Sequence, residues 1–197
     1  MGPEIKRWAD RLPTPWKNGA GTTYPLLAAP AGAEAEQADW RLSIADIVVD
    51  GAFSTFAGIE RLSVVLSGLG ISLMVDSIEH CLDRSELGPS GVLAYPGEAV
   101  VTCRLLDGPV KLLNVMLRRP HCRADLSLLE IAQDIVVVAN PNCEELILVV
   151  AGPLRAAGLA QQSPAALQQF DLLRVGQGGR VELSGPGMAV RLTISCS

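Results

Sequence analysis

Short apolar runs, each cut off by a turn signal, dominate this chain and leave little room for helices. Residues 40–47 alternate strictly, with Trp40, Leu42 and Ile44 on one side and Arg41, Ser43 and Ala45 on the other, which is the period of a strand. Residues 61–66 form an apolar run that stops at Ser67-Gly68-Leu69-Gly70, and residues 71–75 resume it; strand, tight turn, strand predicts a hairpin there. Residues 91–95 run into Pro96-Gly97, residues 99–106 into Asp107-Gly108-Pro109, and residues 110–118 follow. Further runs at 135–139, 146–150, 171–175, 180–183 and 189–195 are each bounded by Gly, Pro or Asn. Strands this short and closely spaced predict an all-β sandwich or barrel. The exceptions are few. Residues 28–39, rich in Ala, Pro, Gly and Glu, read as a surface loop, and residues 156–167 as a short helical turn or loop with Pro164 at its start.

The pattern repeats weakly. Leu62 to Leu66 before Ser67-Gly68 resembles Leu146 to Val150 before Ala151-Gly152, and Val92 to Tyr95 before Pro96-Gly97 resembles Leu172 to Val175 before Gly176, both at an offset of roughly eighty residues. Two diverged β modules in tandem would produce this. We place them at residues 1–118 and 119–197. With 49% hydrophobic residues and only 4% aromatic ones, the core must be built mainly of Leu, Val, Ile and Ala.

Charge and cysteines exclude several classes. A net charge of −5, with Arg118-Arg119 as the longest basic run, provides no stripe to track a nucleic-acid backbone or an anionic membrane. No apolar stretch approaches a membrane span, and the first ten residues carry Glu4, Lys6, Arg7 and Asp10 and no apolar leader core, so a cytoplasmic protein is expected. Five cysteines, an odd number without a Cys-x-x-Cys spacing, predict reduced thiols. Several of them, Cys103 included, should serve as small core residues.

Chemistry-bearing patterns are sparse. A first-row metal needs three or four converging ligands, whereas His80 and His121 stand alone and far apart; no metal and no cofactor is expected. There is no Gly-x-Ser-x-Gly elbow and no glycine-rich dinucleotide loop, and no catalytic residue is nominated. Four segments remain. Residues 15–23 set Trp16, Lys17 and Asn18 in a glycine-rich turn before Thr22-Thr23, where Gly19 and Gly21 permit close backbone approach. In residues 40–45, Arg41 and Ser43 share a strand face, and an inward Arg could fork onto a carboxylate. In residues 50–61, Asp50-Gly51 turns the chain, Phe53 and Phe56 plug one end, and Arg61 opens the next strand on the face of Ser63. In residues 111–119, Leu112, Asn114 and Met116 alternate to one face, and an Asn among apolar neighbours needs a hydrogen-bond partner.

In this order, the four segments resemble the HutD/Ves family. The matching pieces are Trp16-Lys17-Asn18-Gly19, Trp40-Arg41-Leu42-Ser43, Asp50-Gly51-Ala52-Phe53-Ser54 and the Asn114/Met116 strand, with Tyr95-Pro96-Gly97 and Leu105-Leu106-Asp107-Gly108 between them. The resemblance implies a bicupin, two cupin-like β-barrels or sandwiches packed as one unit, frequently assembled as a homodimer. It also implies no metal and a tie to histidine utilisation in bacteria. Carried over by position, the binding candidates are Trp16, Lys17, Asn18, Thr22, Arg41, Ser43, Arg61, Asn114 and Met116. Two positions depart from the pattern: Tyr24-Pro25 stands where the family often has Arg-Glu, and Leu112 where it often has Asp. The expected partner is a small anionic or polar metabolite, bound without reaction, so that the protein senses or limits the pathway. A metal-free cupin isomerase or hydrolase is the alternative; it would need Glu60, Glu98 or Lys17 as a tuned acid or base. A filled, purely structural module is the third reading.

Overall fold

The computed structural model describes residues 2–16, 19–33, 37–83, 91–159 and 163–197. Among them the apolar runs are strands, no α-helix occurs, and Trp8–Asp10 forms a 3-10 turn. No helix is long and apolar enough to cross a membrane. In chain order the first strands are β1 (Glu4–Lys6), β2 (Thr14–Pro15), β3 (Gly21–Ala29), β4 (Trp40–Ile47), β5 (Gly51–Ala52), β6 (Ile59–Ser67), β7 (Gly70–Val75) and β8 (Ile78–Asp83). Next come β9 (Leu93–Pro96), β10 (Val101–Leu105), β11 (Val110–Arg118), β12 (Cys122–Ile131), β13 (Ile135–Val138) and β14 (Glu144–Ala151). The last are β15 (Arg155–Ala157), β16 (Ala165–Ala166), β17 (Leu172–Arg174), β18 (Arg180–Ser184) and β19 (Gly187–Cys196).

Two compact units divide the chain: Leu12–Cys122, and Met1–Arg11 together with Arg123–Ser197. In the Leu12–Cys122 unit a six-stranded sheet, β2-β3-β4-β11-β6-β9, packs on a four-stranded one, β5-β10-β7-β8. Their common core takes Ala45, Ile47, Val65 and Leu112 from the larger sheet and Ile71, Leu73, Val101 and Cys103 from the smaller. The sheets stay open, as a sandwich. In the other unit the sheets run β1-β17-β14-β19-β12 and β13-β18-β15-β16, with Ile147, Val149 and Leu173 packed against Val137, Val181 and Leu183. The repeat seen in the sequence is a repeat of topology. The order β4-β11-β6-β9 in one unit corresponds strand for strand to β12-β19-β14-β17 in the other, and β5-β10-β7-β8 to β13-β18-β15-β16.

Strands β4 and β11 occupy the expected residues. Leu42 and Ile44, on the face away from the sandwich core, are as buried as Ala45 and Ile47, so both faces of β4 are covered. Three expectations need correction. Residues 61–75 do not form a hairpin: β6 pairs with β11 and β9, whereas β7 pairs with β10 and β8. The Ser67–Gly70 segment therefore carries the chain from one sheet to the other. The short helical turn or loop expected at 156–167 has no helix among its described residues and carries the strand pair β15 and β16 around residues 160–162, which lie outside the described residues. The local alanine content favours helix, but pairing with β18 wins at its start. The thiols are not all reduced. Cys122, which opens β12, and Cys196, which ends β19, are disulfide-bonded, and Cys81, Cys103 and Cys143 are free. Spacing in sequence could not foretell this, because the two cysteines end strands that become neighbours only in the folded sheet.

Cys103 lies in the core as expected, and burial, aided by the charge of Asp50, pushes its thiol up to about 12. Only a thiolate reacts readily with an alkylating agent. Iodoacetamide at pH 8 should modify exposed Cys81 and leave Cys103 untouched until denaturant is added, as read by peptide mass spectrometry. Equal labelling of both in the native protein would contradict the burial.

Candidate functional site

The inner face of the six-stranded sheet changes from apolar to polar along its strands. Cross-strand register sets residues of β4, β11, β6 and β9 side by side in layers. Deepest lie Ile47 and Val110, then Ala45, Leu112 and Val65. The next layer holds Ser43, Asn114, Ser63 and Leu93. The outermost holds Arg41, Met116, Arg61 and Tyr95. A cavity of about 470 Å³ opens over the two polar layers, lined by Pro15, Trp16, Thr23, Arg41, Ser43, Ala52, Phe53, Ser54, Phe56, Arg61, Asn114 and Met116.

Arg61 is the centre of the site. It is 6% exposed. Its Nε and Nη2 both donate to Asn114 Oδ1, each at 3.2 Å, and its Nη1 donates to the Ser54 carbonyl at 3.3 Å. The guanidinium lies 5.1, 5.3 and 5.9 Å from the ring centroids of Tyr95, Phe53 and Phe56. Such cation–π contacts partly replace lost hydration. Tyr95 is fixed in turn by a 3.1 Å hydrogen bond between its hydroxyl and that of Ser63. Among the described residues no carboxylate forms an ion pair with Arg61, and burial lowers its pKa from the ordinary arginine value. A guanidinium stays charged even so, and here no carboxylate among the described residues neutralises it.

The loop carrying Phe53, Ser54 and Phe56 is held at both ends. Phe53 N donates to Val101 O at 2.9 Å, Phe56 N to Gly97 O at 2.7 Å, and Gly97 N to Ile59 O at 2.7 Å. A side chain at Gly97 would meet Phe56 O at 2.5 Å, so glycine is required there. On the opposite rim, Trp16 donates from Nε1 to Thr23 Oγ1 at 2.7 Å and meets Phe53 edge to face at 5.9 Å. Gly21 allows this: a Cβ there would lie 2.4 Å from Asp46 O and 3.3 Å from the Trp16 ring.

Of the candidate residues, Trp16, Arg41, Ser43, Arg61, Asn114 and Met116 converge on the cavity. Arg41 faces the cavity rather than solvent. Thr22 does not belong with them and is corrected by one position: Thr23 pairs with Ala45 on the inner face, so Thr22, paired with Asp46, points the other way. Lys17 and Asn18 lie outside the described residues. Glu60 and Glu98, the acid–base candidates, are both partners of Arg119 away from the cavity. Leu112 sits one layer below Asn114, within the core. Tyr95, not singled out as a site residue, cages Arg61 from the neighbouring strand, a pairing set by register that its own strand gives no sign of. Among the described residues no cluster of His, Cys, Asp or Glu could hold a metal ion.

Two facing open β-sheets with a cavity at one end of the inner face are a cupin-like arrangement, and solved structures agree in fold. A cupin 2 conserved barrel domain protein from Leptotrichia buccalis superposes with a TM-score of 0.61 over 98% of this chain and 96% of that one at 8% identity, a likeness of fold alone. The HutD family model matches residues 9–191, and this chain belongs to the HutD family. The structure of HutD from Pseudomonas fluorescens SBW25 is similar over 100% of both chains, with a TM-score of 0.79 and 28% identity. An uncharacterised 21.2 kDa protein of the hutC 3' region of Pseudomonas putida is 38% identical over 62% of this chain and 62% of its own length. The chain thus spans about three fifths of that relative.

Proposed function

We propose that this protein binds a small carboxylate or formyl-type metabolite in the cavity of the Leu12–Cys122 unit, without reaction, and that it thereby senses or limits histidine utilisation. The observation that carries the reading is the buried Arg61, three of whose five N–H donors are engaged and whose charge has no carboxylate partner among the described residues. A buried charge without a counter-ion is costly, and an anionic ligand would supply the missing partner in a place where a charge-assisted, two-point hydrogen bond is strong. The aromatic and thioether rim of Trp16, Phe53, Phe56 and Met116 suits a short carbon skeleton beyond the anionic group. The described cavity lining contains no Asp, Glu, His, Lys, Cys or Tyr, which supports binding over acid–base chemistry. The HutD structure from Pseudomonas fluorescens was obtained in a formate condition, so formate is the simplest probe.

The test is a thermal-shift titration with formate, formyl-glutamate, urocanate, glutamate and histidine. One of them is expected to raise the melting temperature saturably, by the equivalent of about 2.7 kcal/mol at a hundredfold excess over its dissociation constant. No shift with any of the five, together with turnover of one of them detected by mass spectrometry, would replace this reading with the enzyme reading.

A further inference from the structure

The two units carry the same strand pair with opposite electrostatics. At the offset that aligns Leu62 to Leu66 with Leu146 to Val150, Arg61 corresponds to Glu145. On the neighbouring strand, Asn114 faces Ser63 in one unit and Arg191 faces Ile147 in the other, so Asn114 corresponds to Arg191. Met116, opposite Arg61, corresponds likewise to Thr193, opposite Glu145. In the Arg123–Ser197 unit these residues satisfy each other. Glu145, 1% exposed, accepts from Arg191 Nε at 2.5 Å and from Thr193 Oγ1 at 3.3 Å. In the Leu12–Cys122 unit an arginine stands at the position of that carboxylate and a neutral amide at the position of that arginine, so among the described residues the cation has an amide acceptor and no counter-charge.

That amide has one consistent orientation. Two N–H donors of Arg61 converge on one atom of Asn114, which must be the oxygen. The amino group Nδ2 then lies on the other branch of the side chain, and it has no protein partner among the described residues although Asn114 lines the cavity. We propose that Asn114 is the selectivity residue of this cavity: it holds the Arg61 guanidinium in plane without neutralising it and turns N–H donors toward the incoming group, so that the site takes ionised carboxylates and rejects their neutral amides. An amide ligand would bring its own N–H2 against these donors, and the mismatch leaves buried groups unpaired. This inference rests on the binding reading above.

The test uses the full chain, calorimetric titration with formate against formamide, and two variants. The wild type should bind formate and show no saturable heat with formamide. Asn114→Asp supplies the counter-charge that Glu145 supplies to Arg191. It should lose formate binding by about a hundredfold or more, the scale of a charge-assisted hydrogen-bond pair, while its melting temperature stays at or above that of the wild type. Asn114→Ala keeps the cation but frees the guanidinium; it should bind formate about three- to tenfold more weakly, at a lower melting temperature than Asn114→Asp. A merely structural asparagine would make binding follow stability across the three proteins, and this order inverts that. If the wild type binds formate and Asn114→Asp binds it equally well, or if formamide binds as tightly as formate, the inference is overturned and the binding reading stands. If the wild type binds no carboxylate, both are overturned.

Discussion

Replacing Arg61 with methionine should abolish carboxylate-induced stabilisation and leave the unliganded protein as stable as before. The guanidinium is enclosed by three aromatic rings and touches no carboxylate among the described residues. The protein therefore bears the desolvation of a charge without the Coulombic return of a pair. Removing a buried charge of this kind in favour of an apolar chain of similar length is commonly neutral or stabilising. Against it stand the cation–π contacts, about 0.5–2 kcal/mol each at most, and the Asn114 and Ser54 oxygens, which lose their donor. Binding has no such compensation. The loss of a two-point charged contact is worth about 3 kcal/mol, or more than a hundredfold in dissociation constant. Calorimetry with the ligand found by thermal shift, beside a melt of the free variant, reads both quantities. A variant that still binds within threefold of the wild type would show that the anion sits elsewhere, with Arg41 the first place to look. A variant that fails to fold would assign Arg61 to the architecture.

Asp171→Ala should be among the most destabilising substitutions of a polar residue in this protein. The carboxylate is 1% exposed and accepts three bonds: from Arg7 Nη1 at 2.7 Å, from Trp8 N at 2.8 Å and from Gln168 N at 2.9 Å. Two of these donors are backbone groups whose loss cannot be repaired by rotamer change. Arg7 also donates to Ala166 O, so the first residues of the chain are tied both to the end of β16 and, through Asp171, to the turn before β17. Trp8 packs edge to face on Phe170, 5.3 Å away, and depends on the same anchorage. Because Arg7 is partly exposed, its share is discounted for solvent screening. The remainder, buried donors left unpaired, is about 3 kcal/mol. That corresponds to a melting temperature lower by about 6–12 °C for a chain of this size. Limited proteolysis should release the first ten or so residues from the variant before the rest is cut. A drop below 2 °C would mean that the three bonds are replaced by water at no cost.

The strands were legible where both faces are buried and the composition is uniform. β4 and β11 were read to the residue, the first from its alternation of Trp40, Leu42 and Ile44 with Arg41, Ser43 and Ala45, the second because an apolar run follows Asp107-Gly108-Pro109. β12 escaped notice because Arg123, Asp125, Ser127 and Glu130 interrupt its apolar residues and keep no single two-residue period. β3 was hidden behind Pro25 and the glycine turn at its start; its bulge between Pro25 and Leu27 absorbs the irregularity. The mistaken hairpin shows the limit of local signals: a tight turn specifies a reversal of the chain but not which sheet the next strand will join. The site was legible as a set of inward positions, since Arg41, Ser43, Arg61, Asn114 and Met116 follow from strand alternation. Thr22 was carried over by position from the resemblance; a two-residue period makes such a one-residue offset change the face, and Thr23 is the inward residue. What no pattern in one strand could reveal is the pairing between strands: Tyr95 against Arg61, Ser63 against Tyr95, and Glu145 against Arg191 are all products of register.

The strand β1 has a consequence for how the molecule is made. Residues 4–6 pair with residues 172–174 at the edge of the sheet that residues 123–197 otherwise build. During synthesis the ribosome releases β1 early, and its partner β17 emerges some 165 residues later. At about 5–20 residues per second, that is a wait on the order of ten seconds or more. Over that interval the Leu12–Cys122 unit, whose strands all pair within its own span, can close around its cavity while the amino-terminal segment is still without a sheet. An affinity tag or leader fused ahead of Glu4 would act on the last step of assembly, the docking of an edge strand, rather than on the first. The cavity should therefore tolerate such fusions better than the yield of finished protein does.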